Sequence, residues 1–135
     1  MSKVSIEVAT ADLNRWLDKK KVSDAIREKQ QVVIDELADA IACGLLTVSE
    51  NCELEYKLSE PVTDSDGNIS VGSLKFKNRL RVDEVMSRLK GLDPKDVDGR
   101  MMAYVGALTG VATGLLKKMD TDDYKIPQSI AVFFM

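Results

Sequence analysis

The sequence predicts an α+β fold: a mainly helical single domain with a small antiparallel β-hairpin or sheet. Three observations predict it. Residues 1–50 carry apolar side chains at helical spacing, residues 51–80 alternate apolar and polar around an acidic glycine turn, and residues 81–135 return to helical spacing. A chain of 135 residues is of one-domain size and long enough to bury a core. No linker or low-complexity stretch divides residues 1–135, so they are read as one unit.

In chain order, Val4-Ser5-Ile6-Glu7-Val8 alternates and predicts a short strand. Asp12 to Lys20 reads as a short helix with Leu13, Trp16 and Leu17 on one side. Ser23 has the side chain of an N-cap, and the helix it opens is expected to be the longest in the chain. Its apolar face is Ile26, Val33, Ile34, Leu37, Ala38 and Ile41, with Arg27, Lys29, Asp35 and Asp39 opposite. Gly44 sits where a left-handed stop is wanted.

Leu45, Leu46 and Val48 come next, and then Cys52, Leu54, Tyr56 and Leu58 stand at every second position with charges between them. This marks a strand with one wet face. Pro61 ends or edges that strand because it has no N–H to give a ladder. Asp64-Ser65-Asp66-Gly67-Asn68 supplies turn chemistry, and Ser73 to Lys77 returns as the second strand with Leu74 and Phe76.

Val82, Val85, Met86 and Leu89 then form a helical stripe stopped by Gly91. Asp93-Pro94 predicts the start of a further helix, a cap followed by proline at the first helical position, with Val97, Met101, Tyr104, Val105 and Leu108 on its face. Thr109-Gly110 breaks it, and Val111, Leu115, Leu116 and Met119 make a shorter helix. Asp120 or Thr121 caps the segment after that helix, Pro127 predicts a last turn or a helix beginning late, and Ile130, Phe133 and Phe134 end the sequence apolar.

Composition excludes several function classes. The net charge is −3 and the pI about 5.0, and Lys19-Lys20-Lys21 is too short a basic run for a phosphate-backbone footprint, so no nucleic-acid role is expected. There is no run of eighteen apolar residues to span a membrane, and the first ten residues lack the apolar core of a signal peptide. Cys43 and Cys52 are too few for a disulfide framework; they could pair with each other, and the default reading is reduced thiols in a cytoplasm. The chain has no histidine, which removes the commonest general base and metal ligand. No catalytic residue, metal or cofactor is assigned, and the protein is not expected to be an enzyme.

Each motif has a plainer reading. The acidic turn fails as a calcium loop, because Lys75 stands where a bidentate glutamate is required. Gly106, Gly110 and Gly114 lack the lysine of a phosphate loop. Gly110 reads as a helix end, with Gly106 and Gly114 allowing close backbone approach. Asp120, Asp122 and Asp123 suit the start of a helix better than a magnesium site. Trp16, Phe133 and Phe134 stand out in a chain with only 5% aromatics. They either fill the core or anchor an interface. The candidate protein-binding residues are Val33, Leu37 and Ile41 on the helix after Ser23, with Phe133 and Phe134 at the C-terminal end.

The order of these pieces resembles the small tail assembly chaperones of contractile-tailed phages, the Mu-like and P2-like group. Matching residues are Leu58 and Pro61, Asp66-Gly67, Leu74 and Phe76, then Ala107-Leu108-Thr109-Gly110, Asp120 and Asp123, and Val132 and Phe133. The resemblance covers the C-terminal part of the chain, from Leu54 to Phe134; the residues before it exceed the outline.

It implies a non-catalytic protein of the bacterial host cytoplasm, not carried in the mature virion. Such a protein binds the long helical tape measure protein and keeps it soluble until the tail tube forms. Further implied partners are the tail tube protein, a frameshifted longer form of the chain, and other copies of itself. Val132-Phe133-Phe134 can be encoded by a slippery run of thymines, as that frameshift requires. The alternatives are a phage structural subunit of the tail or virion and a small protein-binding regulatory module.

Overall fold

The computed structural model describes residues 3–135. Within them are seven helices and a three-stranded antiparallel sheet, with four of the helices packed on the sheet, so the mainly helical α+β domain is what the chain forms. Most of the buried apolar residues, from Ala9 to Ala131, make one continuous cluster, with Val85, Ala103 and Ala107 outside it.

Helix α1 (Ile6–Lys20) begins where a strand at Val4–Val8 was expected. The Ser5 hydroxyl caps it by accepting from the Val8 N–H at 3.2 Å, and Ala9 extends the Leu13–Trp16–Leu17 stripe backwards at helical spacing. Five alternating residues with Ile6 and Val8 exposed carry less burial than that stripe, so the short strand does not form. Lys21 closes α1 in the left-handed region at φ 62°.

The expected single helix from Ser23 to Gly44 is two: α2 (Asp24–Lys29) and α3 (Gln31–Ala42), broken at Gln30. Ser23 caps α2 as predicted, through the Ile26 N–H at 3.3 Å. The break has a plain cause. Lys29 and Gln30 occupy the positions three and four beyond Ile26, so the apolar face lapses there and α2 buries nothing. The longest helix is therefore α1, at 15 residues. At the end of α3, Gly44 takes φ 81° while Leu45 N–H bonds Ala40 C=O and Gly44 N–H bonds Ile41 C=O, the paired closure that a left-handed glycine permits.

The apolar alternation after Gly44 folds into two strands, β1 (Leu46–Val48) and β2 (Leu54–Thr63), with Cys52 in the connecting turn at φ 59°. Strand β3 (Ile69–Phe76) pairs on the other side of β2, with Tyr56 opposite Leu74 and Leu54 opposite Phe76. Leu46, Leu54, Tyr56, Leu58, Leu74 and Phe76 face the helices. The hairpin turn forms as read: Asp64 Oδ1 accepts from the Asp66 and Asn68 N–H groups, both at 2.9 Å, and Gly67 takes φ 83°. Pro61 lies inside β2 rather than ending it. The ladder to β3 slips register between Lys57 and Val62 and β1 pairs no further than Tyr56, so Pro61 has no register partner and edges the strand, as the other half of the expectation had it.

In the C-terminal half, α4 (Val82–Leu89) is followed by α5 (Val97–Thr109), which starts three residues beyond the expected Pro94. Asp96 is the cap, accepting from Gly99 N–H at 2.9 Å, whereas Asp93 holds the preceding turn through Lys95 N–H at 2.8 Å. Gly110 ends α5 at φ 72°. Gly106 makes room for the Arg88 guanidinium, which crosses to donate to the Val111 carbonyl at 3.0 Å. Gly114, in contrast, faces open space and permits no close approach.

Helix α6 (Thr113–Leu116) is one turn, and α7 (Thr121–Ala131) runs straight through Pro127. A proline inside a helix costs about 3 kcal/mol. Burial of Ile130 and Ala131 and the anchoring of Asp123 on β2 offset it, so α7 starts at its Asp120 cap instead of late.

Candidate partner-binding site

The five residues singled out as protein-binding fall into three environments. Leu37 and Ile41 are 0% and 4% exposed, closed inside the core against α1, α7 and the sheet, so neither can touch a partner in this fold. The correction has a geometric reason. A helix with sheet and helices on both flanks buries a broader face than one stripe, and the side of α3 that reaches solvent is at Val32 and Val33.

Val33 is half-buried and lines a shallow groove between α3, α5 and α7. Its apolar floor is Val33, Met101, Ile126 and Val132, and Glu36, Asp122, Lys125 and Gln128 rim it. Phe133 and Phe134 lie together in a separate cleft of about 320 Å³ at the end of α1.

That cleft is built by three segments distant in sequence. The last turns of α1 supply Trp16, Lys19 and Lys20, and the chain leaving β3 supplies Asn78, Arg79 and Leu80. After α7 the backbone makes one more turn, with Phe133 N–H bonding Ile130 C=O and Phe134 N–H bonding Ala131 C=O. That turn lays both rings on Trp16. The Trp16–Phe133 centroids are 5.7 Å apart at 85°, edge to face, and Trp16–Phe134 are 6.2 Å apart at 49°. Trp16 is itself buried, whereas both phenylalanines are half-buried. The two readings of these aromatics therefore divide between them: Trp16 fills the core, and Phe133 and Phe134 continue it to the surface.

The Lys20 ammonium sits 3.5 Å above the Phe134 ring. Burial, and secondarily the charge of Arg79, hold Lys20 below its ordinary lysine value. Among the described residues, no ion pair includes Lys19, Lys20 or Arg79. The cleft is thus cationic and aromatic in a chain of net charge −3.

The three carboxylates near the start of α7 do three separate things and do not converge. Asp120 caps the helix through the Asp122 and Asp123 N–H groups, and Asp122 pairs with Lys125 at 3.1 Å. Asp123 turns inward and is 2% exposed. Its Oδ1 accepts from the Tyr56 hydroxyl at 2.9 Å and from Ser59 N–H at 3.0 Å, and its Oδ2 accepts from Glu60 N–H at 2.9 Å. Those amides lie where the β2–β3 ladder slips. Burial, then the hydrogen bond and charge of Asp123, raise the Tyr56 phenol above its ordinary range.

Sequence reading placed Asp123 among the capping residues and missed this role. The available signal was its seat three residues into a capped helix, on the side of Ile130 rather than with the exposed Asp122.

Comparison of the chain with known protein families, with curated proteins and with solved structures found no match. No helix among the described residues is long and apolar enough to cross a membrane.

Proposed function

We propose that this protein is a tail assembly chaperone of a contractile-tailed phage, Mu-like or P2-like, that works by binding and not by catalysis. In the host cytoplasm it covers the tape measure protein before the tube forms. The observation that carries this reading is how the family-like motif residues meet. The backbone between Leu58 and Pro61 is gripped by Asp123, and the Leu108 carbonyl accepts from Lys77 N–H, just past Phe76, at 2.9 Å. Motif pieces scattered from Leu58 to Asp123 thus serve as ties of one fold.

The surfaces that remain suit the task. An extended amphipathic helix needs its apolar stripe covered in water, and a half-open apolar groove with a mixed-charge rim covers one face of such a helix. The Val33–Met101–Ile126–Val132 groove has that form, and the Phe133–Phe134 cleft adds an aromatic seat beside it along the end of α7.

Co-expression with the tape measure protein of the same phage tests the reading. The expected result is a soluble client that co-purifies with the chaperone, while an unrelated long coiled coil stays insoluble. An insoluble client in the presence of both this chain and its frameshifted longer form overturns it. A stable ring or tube formed by the purified protein alone points to the structural subunit instead.

A further inference from the structure

From the Trp16–Phe134 cleft we infer that it receives an acidic segment of a partner protein, with an apolar side chain set against the phenylalanines and carboxylates against Lys19, Lys20 and Arg79. This rests on the protein-binding reading above but not on the identity of the client.

Three independent features point to such an occupant. The first is charge: three cations crowd one cleft of an acidic molecule, and none of them has a carboxylate partner among the described residues. Arg79 and Lys20 both line the cleft, the charge of Arg79 adds to burial in holding Lys20 below its ordinary value, and like charges brought together in a fold favour an anion between them.

The second is an orphaned polar atom. Among the described residues, only two buried side-chain oxygens lack a hydrogen-bond partner, Asn78 Oδ1 and Tyr124 Oη. Asn78 lines this cleft, whereas Tyr124 lines neither cleft nor groove. A buried acceptor without a donor costs free energy; this oxygen has no open surface in the free protein, so a peptide N–H meets it only if the Asn78 side chain turns as the segment enters.

The third is the aromatic floor. Phe133 and Phe134 are half-buried on a buried tryptophan, a seat for one leucine-sized or aromatic side chain. A nucleic acid fits less well, because phosphate-backbone binding draws on many more cations than the three gathered here.

The test uses the intact protein and a short fluorescein-labelled peptide of glutamate and leucine at helical spacing, read by anisotropy. Its glutamine and lysine counterparts and a labelled thymidine oligonucleotide serve as comparisons. The glutamate peptide should bind, more weakly as salt rises, and the glutamine peptide at least about fivefold more weakly. Lys20→Gln and Arg79→Gln should each weaken binding about fivefold and together about twentyfold, taking each as a partly exposed charge pair. Thermal melts of the variants confirm that they are folded. Trp16, the sole tryptophan, should change its emission on binding, which places the peptide at this cleft.

Equal binding of glutamate and glutamine peptides, wild-type affinity in the double variant, tighter binding of the oligonucleotide, or no binding at all each overturn the proposal. Co-purification separates it from the chaperone reading. A tape measure retained equally by wild type and double variant leaves the chaperone and removes the cleft. Peptide binding without any tape measure partner does the reverse.

Discussion

The two ends of α7 differ in kind. At its start Asp123 is buried with three donors converging on its carboxylate, and each of those donors, Tyr56 Oη and the Ser59 and Glu60 amides, finds its acceptor there. At its other end the turn of Phe133 and Phe134 leaves two rings half-buried, three cations without carboxylates and Asn78 Oδ1 without a donor. The first end is a completed interior junction, and the second is an edge with unmet chemistry. Disruption of the first end should therefore cost stability, and disruption of the second should cost binding.

The comparison breaks most visibly at Asp123. Asp123→Asn keeps one acceptor oxygen but turns an amide N–H₂ toward donors that need an oxygen, and it removes the charge that strengthens all three bonds. The expected loss is about 3 kcal/mol of unfolding free energy, or about 10 °C in Tm. Peptide binding at the Phe133–Phe134 cleft should stay unchanged below the new transition. A loss under about 0.5 kcal/mol in denaturant titration sinks the claim that this junction holds α7 on β2.

The same junction answers to alkali. Tyr56 is held above its ordinary phenol range by burial and by Asp123, and Tyr124 by burial and by Asp98. A raised folded-state pKa contributes stability that is complete below the unfolded value, near 10, and is lost as pH rises toward the folded one. Unfolding free energy should therefore fall from about pH 10 upward, and Tyr56→Phe should flatten that fall while costing some stability at neutral pH. Parallel alkaline slopes for wild type and Tyr56→Phe would count against a neutral Tyr56 as part of the tie.

Phe134→Ala sharpens the other side of the comparison. A half-buried ring at an edge should cost about 1–2 kcal/mol on truncation, less than a fully buried phenylalanine. Acidic-peptide affinity should drop by more than the charge variants produce. If stability collapses instead, Phe134 closes the core and belongs with Trp16.

How far the fold is legible in the sequence depends on range. Local chemistry reads well: the Ser23 cap, the Asp64–Asn68 turn with Gly67, and the Gly44, Gly91 and Gly110 stops need only neighbours in the chain. Periodicity finds the helices but not their limits, because it does not register where a face lapses, as at Lys29 and Gln30, or where a distant tie overrides Pro127.

The site is harder still. Phe133 and Phe134 are marked by composition alone, and Leu37 and Ile41 are marked by a stripe that the fold covers on every side. Asn78 and Arg79 carry no signal until the fold brings them to Lys20. Lys19-Lys20-Lys21, too short to bind a phosphate backbone, contributes two of the three cations.

The smallest expected effect is on the stability of Lys20→Gln, and it is informative because two terms oppose. Removing the ammonium forfeits its contact with the Phe134 ring, worth about 0.5–1 kcal/mol at an exposed site. It also relieves the burial of a charge and its repulsion by Arg79, which together lower the lysine's pKa in the fold. A lowered lysine value means the folded state disfavours the charged form. That penalty operates at neutral pH and lifts only as pH rises through the folded value.

The net change should lie within about 0.5 kcal/mol of zero. Its salt dependence carries the argument. Wild type should gain stability as salt screens Lys20 from Arg79, and the variant should lose that gain. Identical salt profiles would mean that the two cations do not feel each other, and the cleft would then lack the electrostatic tension that an acidic partner relieves.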